Sequence, residues 1–328
     1  IQRLAILNRQ MIVFQERQVG RYGVYAKYIQ SNDGNALTTT DEIITKNNIN
    51  YIGNYGLGNQ YCGLIKGRDV FYFKDPVRGY EVRLSQKGLD PISEQNKGRF
   101  FIQPKFIPYN KPFLRTNGSK AKILGAYNFE EEEAITVLQG GVYSGETIES
   151  YTFSFNEPRN GYCSFFEFNP EWIDSIEKSI VTWKNGQLYI HNNVTDYTKF
   201  YEVKKYPSIM LGFNDKIGIK KTFNSLAYQA NQLWTASQLG DVFTNQKNEQ
   251  TGLIQQSSIK EWNIEKNEGR YYAYFNRDAN SNIDRRVGLI EGDYLKGGCI
   301  IVNLSYIGNE FAFLYLPYVD YDESARNY

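Results

Sequence analysis

His191 is the only histidine in the 328 residues. A Ser-His-Asp relay or a multi-histidine metal site would have to be built around this one imidazole. It falls in the strand-like run Leu188–Asn192, where packing or a bond to a neighbouring loop accounts for it. The run Glu130–Glu133 supplies adjacent carboxylates, and glycoside hydrolysis needs two facing acids with separated pKa values. Four consecutive acids more simply make a solvated loop or a helix start. The stretch Asp278-Ala-Asn280-Ser-Asn282-Ile-Asp284 opens like a calcium loop, with oxygen ligands at alternate positions. Ile283 stands where that loop needs Gly, and Leu289 where it needs a bidentate Glu, so Asx-turns are expected there instead.

The remaining candidates fail on spacing. Gly53-Asn-Tyr-Gly56-Leu-Gly58 has the glycines of a phosphate loop but no following P-loop Lys and no βαβ setting. No G-x-S-x-G elbow and no H-E-x-x-H pair occurs. Cys62, Cys163 and Cys299 are odd in number and far apart, which gives neither a disulfide framework nor a zinc site and leaves reduced thiols used in packing. Asn117, Asn193 and Asn303 head N-x-S/T triplets without a secretory signal to make them glycosylation sites. The basic pairs Lys204-Lys205, Lys220-Lys221 and Arg285-Arg286 are dispersed among acids. With 37 basic and 36 acidic residues, the net charge of +1 argues against a strongly basic nucleic-acid binder. No catalytic, cofactor-binding or metal-ligating residue is assigned, and the expectation is a protein that is not an enzyme.

The elements that carry these residues are strands. Aromatic content is high, with 27 Tyr and 20 Phe against two Met, and 28 Gly are available for tight turns. The longest apolar runs, such as Phe311–Leu316, fall far short of the ~20 residues that span a bilayer. The chain starts at Ile1 and its first methionine is Met11, inside an expected strand, so a processed product or fragment with a missing partner segment is expected.

A hairpin recurs along the chain. It appears as LAILNRQMIVFQ (Leu4–Gln15), GLIKGRDVFYFKD (Gly63–Asp75, with Gly67 in the turn) and IVTWKNGQLYIHN (Ile180–Asn192, turning at Asn185-Gly186). Asn-Gly between apolar runs is a strong signal for a type I′ turn. Met11, Val70 and Leu188 are 59 and 118 residues apart, which places a middle copy near residue 129. There Ile123–Tyr127 and Ala134–Leu138 flank the acidic stretch Phe129–Glu133. In Val70-Phe71-Tyr72-Phe73 and Met11-Ile12-Val13-Phe14 successive residues are apolar, so both faces of those strands must be buried. Blade-on-blade packing does this, and a repeat of this size predicts β-propeller-like blades with insertions.

Further strands are expected at Tyr80–Ser85, Glu149–Phe155 and Tyr162–Phe168, and a short helix or turn over Pro170–Lys178. After about Ser208 the pattern changes. Ile217–Tyr228, Gly269–Asn276, Gly298–Tyr306 and Glu310–Tyr318 read as strands, and Gln229–Ile259 as polar loop. The expected fold is all-β: propeller-like blades over 1–207, incomplete at the N-terminus, and a C-terminal β region over 208–328 that closes or flanks them.

The stretch GRDVFYFKDPVRGYEVRLSQKGLDPIS (Gly67–Ser93) resembles the tail muzzle (nozzle) proteins of crAss-like bacteriophages. The resemblance continues through SFNEPRNGYCSFFEFNPEW (Ser154–Trp172), NGQLYIHN (Asn185–Asn192), FNSLAYQAN (Phe223–Asn231), EGRYYAYFNRDAN (Glu268–Asn280) and GDYLKGGCIIVNL (Gly292–Leu304). It implies the C-terminal portion of a longer structural virion protein of a short-tailed phage. The implied setting is an oligomeric muzzle ring, of six copies in this expectation, at the distal tail end around the DNA exit channel. The implied partners are copies of the chain, other tail proteins of the hub, ring and fibres, and genome DNA passing during ejection without sequence recognition. The implied location is the virion tail, assembled in the host bacterial cytoplasm. A near-neutral chain suits a lumen through which DNA must slide. The alternative is a propeller that binds or cleaves host-surface glycans, in which Tyr and Trp faces stack on sugar rings.

Overall fold

The computed structural model describes residues 1–8, 10–23, 49–51, 53–58, 63–94, 98–110, 122–143, 145–192 and 197–324. The chain separates into two compact units, Ile1–Asn193 and Val194–Tyr328. The residue-207 boundary drawn from the sequence falls inside the second unit, just before its first long strand.

The first unit is a series of small antiparallel sheets, each made of strands close in sequence. Sheet 1 holds β1 (Arg3–Leu7), β2 (Gln10–Phe14), β3 (Val19–Gly23) and β4 (Ile49–Asn50) in that order. Sheet 2 holds β5 (Ile65–Lys66), β6 (Phe71–Asp75), β7 (Tyr80–Ser85) and β8 (Gly88–Asp90). Sheet 3 has β9 (Lys122–Asn128) and β10 (Glu133–Gln139); a hairpin of β11 (Gly141–Tyr143) and β12 (Glu146–Ile148) leads on to its β13 (Tyr151–Asn156) and β14 (Gly161–Phe166). Sheet 4 has β15 (Trp172–Ile176), β16 (Ser179–Lys184) and β17 (Gln187–Ile190). All four expected hairpins are therefore present, each in a different sheet.

The turns explain the registers. Lys184 pairs with Gln187, and Asn185 and Gly186 between them have φ of 51° and 76°, the two left-handed residues a type I′ turn requires. In the second hairpin the left-handed residue is Asp69 (φ 53°) rather than Gly67. Gly67 is small for another reason: a Cβ there would approach Val70 to 2.9 Å and the Tyr127 ring to 3.0 Å.

Sheet 2 is covered on both faces, as its continuous apolar run requires. Phe71 and Phe73 meet Phe14 of sheet 1 edge to face, at centroid distances of 6.1 and 5.3 Å. Tyr72, pointing the opposite way, stacks on Tyr127 of sheet 3 at 6.0 Å and meets Phe155 at 6.2 Å. Sheet 4 joins sheet 3 through Ser175, whose Oγ donates to Tyr127 O (2.6 Å) and accepts from Tyr127 N (3.0 Å). Among the described residues no sheet closes on itself.

The helix or turn expected over Pro170–Lys178 is strand β15, with a turn only at Glu177-Lys178. Its burial alternates: Ile173 is in the core while Trp172, Asp174 and Ile176 face outward, and cross-strand pairing outweighs the weak start signal of Pro170.

The second unit opens with a short hairpin of β18 (Lys199–Phe200) and β19 (Val203–Lys204). Then follow β20 (Ser208–Phe213), β21 (Lys221–Ala230), β22 (Val242–Lys247), β23 (Ile254–Ser257), β24 (Glu265–Asn267), β25 (Arg270–Tyr274), β26 (Lys296–Gly297), β27 (Ile300–Ser305) and β28 (Leu314–Glu323). One sheet has the order β20-β27-β22-β23; the other runs β24-β25-β21-β26, with β28 also on β21. The two share one core, in which Phe223, Leu226 and Tyr228 lie with Val242, Tyr271, Ile300, Val302 and Leu304. The interval expected to be loop, Gln229–Ile259, contains β22 and β23. Their buried polar residues find partners within the pair and beyond it: Thr244 Oγ1 donates to Gln255 Oε1 (3.2 Å) and Ser257 Oγ to Asn276 O (2.9 Å).

Candidate functional site

Several of the groups nominated from the sequence have a structural role. His191 is hydrogen-bonded through Nε2 to Thr182 Oγ1 (2.6 Å) and packs on Phe168 at 4.7 Å. Burial lowers its pKa to about 4, so the ring is neutral at physiological pH. The acidic run is the β9–β10 turn, and its carboxylates diverge. Asn128 Oδ1 accepts from the backbone of Glu130 and Glu131, Glu132 pairs with Arg68 (2.8 Å), and Glu133 meets Asn156 (3.4 Å).

The calcium-like stretch is built as Asx-turns. Asp278 is wholly buried and its carboxylate accepts from Gln256 N, Asn280 N and Asn248 Nδ2 at 2.9–3.0 Å, while Asp284 caps the helix Arg285–Glu291. Among the described residues no three His, Cys, Asp or Glu side chains gather as a metal site. The glycine-rich stretch is a close backbone contact: Gly56 N donates to Asp75 Oδ2 (3.2 Å), and a Cβ at Gly56 would strike Glu16 O at 2.3 Å. Cys163 is exposed and Cys299 half-buried, both free, so the packing role expected of all three thiols does not hold for Cys163; Cys62 lies outside the described residues. Asn303 is a strand residue of β27, whereas Asn117 and Asn193 are outside the described residues. Of the basic pairs, Lys221 is buried, its ammonium donating to Lys216 O, Ile219 O and Gly298 O.

Sequence reasoning missed an ionic layer between sheets 2 and 3. Lys74 and Glu81 are cross-strand partners, both side chains fully buried, with Nζ to Oε1 at 3.3 Å. From sheet 3, Thr136 Oγ1 donates to Glu81 Oε1 (3.0 Å) and Tyr162 OH to Oε2 (2.9 Å). Burial and the Glu81 carboxylate raise the Tyr162 pKa well above its usual value. One step along the same face, Arg83 joins Asp90 and Glu157, each at 2.6 Å, and Tyr72 OH also bonds Glu157. The available signal was polar and charged side chains at alternate positions on both arms of one hairpin, Tyr72/Lys74 and Glu81/Arg83. With its carboxylate sealed from solvent and met by one cation and two hydroxyls, Glu81 fixes sheet 3 onto sheet 2 and offers a substrate no approach.

What the first unit presents outward is different. In sheet 4 the cross-strand set Trp172, Trp183 and Leu188 shares a face with Ile176 and Ile190. All five are exposed, and side chains of this size uncover on the order of 500 Å² together. A second feature is a cavity of about 620 Å³ lined by Gln2–Arg3, Gly63–Leu64, Lys122–Gly125 and Trp172–Asp174. These are the first strands of sheets 1 to 4, or the residues leading into them. No described helix is long and apolar enough to cross a membrane.

Residues 195–278 match the family model of the Crassvirus muzzle protein C-terminal domain. The matched span lies in the second unit and holds β18 to β25, and its family is the one the sequence motifs resemble. A search of the curated proteins returned no match.

Proposed function

With the muzzle C-terminal domain recognised over residues 195–278, we propose that this chain is a non-enzymatic structural protein of the crAss-like phage tail, located in the virion. The match carries the proposal. The finer reading is a subunit of the muzzle ring, six copies around the DNA exit channel in contact with other tail proteins, assembled in the host cytoplasm. A near-neutral chain supports this, because a lumen rich in lysine and arginine would hold DNA through its phosphates. The apolar face of Trp172, Trp183 and Leu188 supports it too, since patches of this kind mark protein contacts. Ring closure requires head-to-tail interfaces between unlike surfaces.

We also propose a propeller-like arrangement for the first unit. Three successive four-stranded meanders and one three-stranded meander support it, as do their first strands around one cavity, the place the innermost strands of propeller blades occupy. The test is labelling of purified virions with an antibody to the chain, read by electron microscopy. Label at the distal tail tip is the expected result; label confined to the capsid shell overturns the proposal.

A further inference from the structure

We propose that the second unit carries a binding site for a neutral carbohydrate chain, in the cavity beside Trp262. The cavity measures about 680 Å³, within the range of small-molecule sites. Trp262 is 83% exposed, on the 3-10 turn Glu261–Asn263. An indole displayed on a loose loop would mean little, but this turn is pinned at both ends. Ile259 N donates to Ala236 O (2.7 Å), Lys260 Nζ to Ser237 O, and Asn263 Nδ2 to Asn276 Oδ1 (3.1 Å). A large apolar ring is thus presented to solvent on a rigid support.

The opposite wall is equally ordered. Glu310 N donates to Tyr306 OH (3.1 Å), and Gln232 Nε2 donates to the Glu310 carboxylate. Tyr306 is buried against Trp234, at a centroid distance of 5.9 Å. Gly308 admits this wall because a Cβ there would fall 1.9 Å from Tyr306 Oη. Thr235, which also lines the cavity, is held to Ser305 by two 2.8 Å backbone bonds.

The chemistry of the lining selects the ligand class. A pyranose has a face of C–H groups, which meets the negative face of an indole, and a rim of hydroxyls that both donate and accept. The cavity matches both, with Trp262 for the C–H face and Glu261, Glu310, Gln232 and Asn309 for the hydroxyl rim. Phosphate, sulfate and sialate ligands are disfavoured. Two carboxylates face the space, and its one ammonium, Lys260, is engaged with Ser237 O. Every residue in this site belongs to the second unit.

The test uses the full chain on an array of immobilised neutral hexose and N-acetylhexosamine oligosaccharides, with sialylated and sulfated oligosaccharides as the anionic arm. Titration calorimetry then measures Kd for the best neutral probe. Trp262→Ala is expected to weaken binding by about tenfold, the size of a lost aromatic stacking contact together with its buried area. Glu310→Gln is expected to weaken it severalfold, and Trp172→Ala, in the first unit, to leave it unchanged. Trp262 is exposed enough that its loss does not threaten folding. No binding of any neutral probe, preference for the anionic arm, or an unchanged Kd in Trp262→Ala would each overturn the proposal.

Discussion

Replacing Lys74 by Met leaves the Glu81 carboxylate buried without its cation. The pair is 3.3 Å apart with both side chains fully buried. At that distance an effective dielectric of ~20 gives a gross attraction of about 5 kcal/mol, most of which offsets desolvation in the native protein. The hydroxyls of Thr136 and Tyr162 stay in place and still bond the carboxylate, so the charge is only partly stranded. Breaking a buried pair from one side typically costs about 3–5 kcal/mol. Lys74→Met should therefore destabilise the first unit by about 3–5 kcal/mol. In Lys74→Met/Glu81→Gln the amide oxygen still accepts from one hydroxyl, the amide nitrogen donates to the other once that hydroxyl rotates, and no charge is buried. The double variant should be more stable than either single one. Urea unfolding read by hydrogen exchange in peptides covering residues 71–85 reports on this unit alone. A loss below about 1 kcal/mol in Lys74→Met, or additive losses in the double variant, would refute the role given to the ionic layer.

Two further outcomes follow from the first unit. His191 has its pKa lowered from 6.5 to about 4, so the unfolded chain binds its proton more readily than the native one. The associated stability is complete above pH 6.5 and is lost as pH falls toward 4, by at most about 3 kcal/mol. His191→Gln should flatten the stability profile over that window in urea titrations at stepped pH; an unchanged slope contradicts it. At Gly125 a Cβ would lie 2.4 Å from Ile65 Cδ1 and 3.0 Å from Ile135 O. Gly125→Ala should cost about 1–3 kcal/mol in thermal unfolding, and adding Ile65→Ala should cost less than the sum of the two single losses.

The ionic layer shows why part of this fold was hidden in the sequence. Lys74, Glu81 and Arg83 read as ordinary strand charges, because nothing local says that a third sheet will cover that face. Strand β15 shows the same limit: Pro170 is a legitimate helix-start signal, overruled by the pairing of Trp172 with Trp183 across the sheet. The polar strands β22 and β23 were missed because their Gln, Thr and Ser side chains become acceptable in a core only when partners such as Asn276 arrive from elsewhere in the chain. The Trp262 cavity joins residues from 232 to 310, and no spacing rule connects them.

By itself the sequence determined much of what depends on neighbours along the chain. The strand-rich class, the hairpins and the left-handed Asn185-Gly186 turn are set by backbone preference and alternation, and the failure of each catalytic template is a matter of spacing. It also showed that β6 must be covered twice, since its apolar residues point both ways. Tertiary structure alone decided what does the covering. Phe14 meets one face, and Tyr127, Phe155 and the Glu81 network meet the other. The physical reason is that burial, and with it the strength of a charge pair or the cost of an unpaired polar group, depends on surroundings brought in from distant parts of the chain.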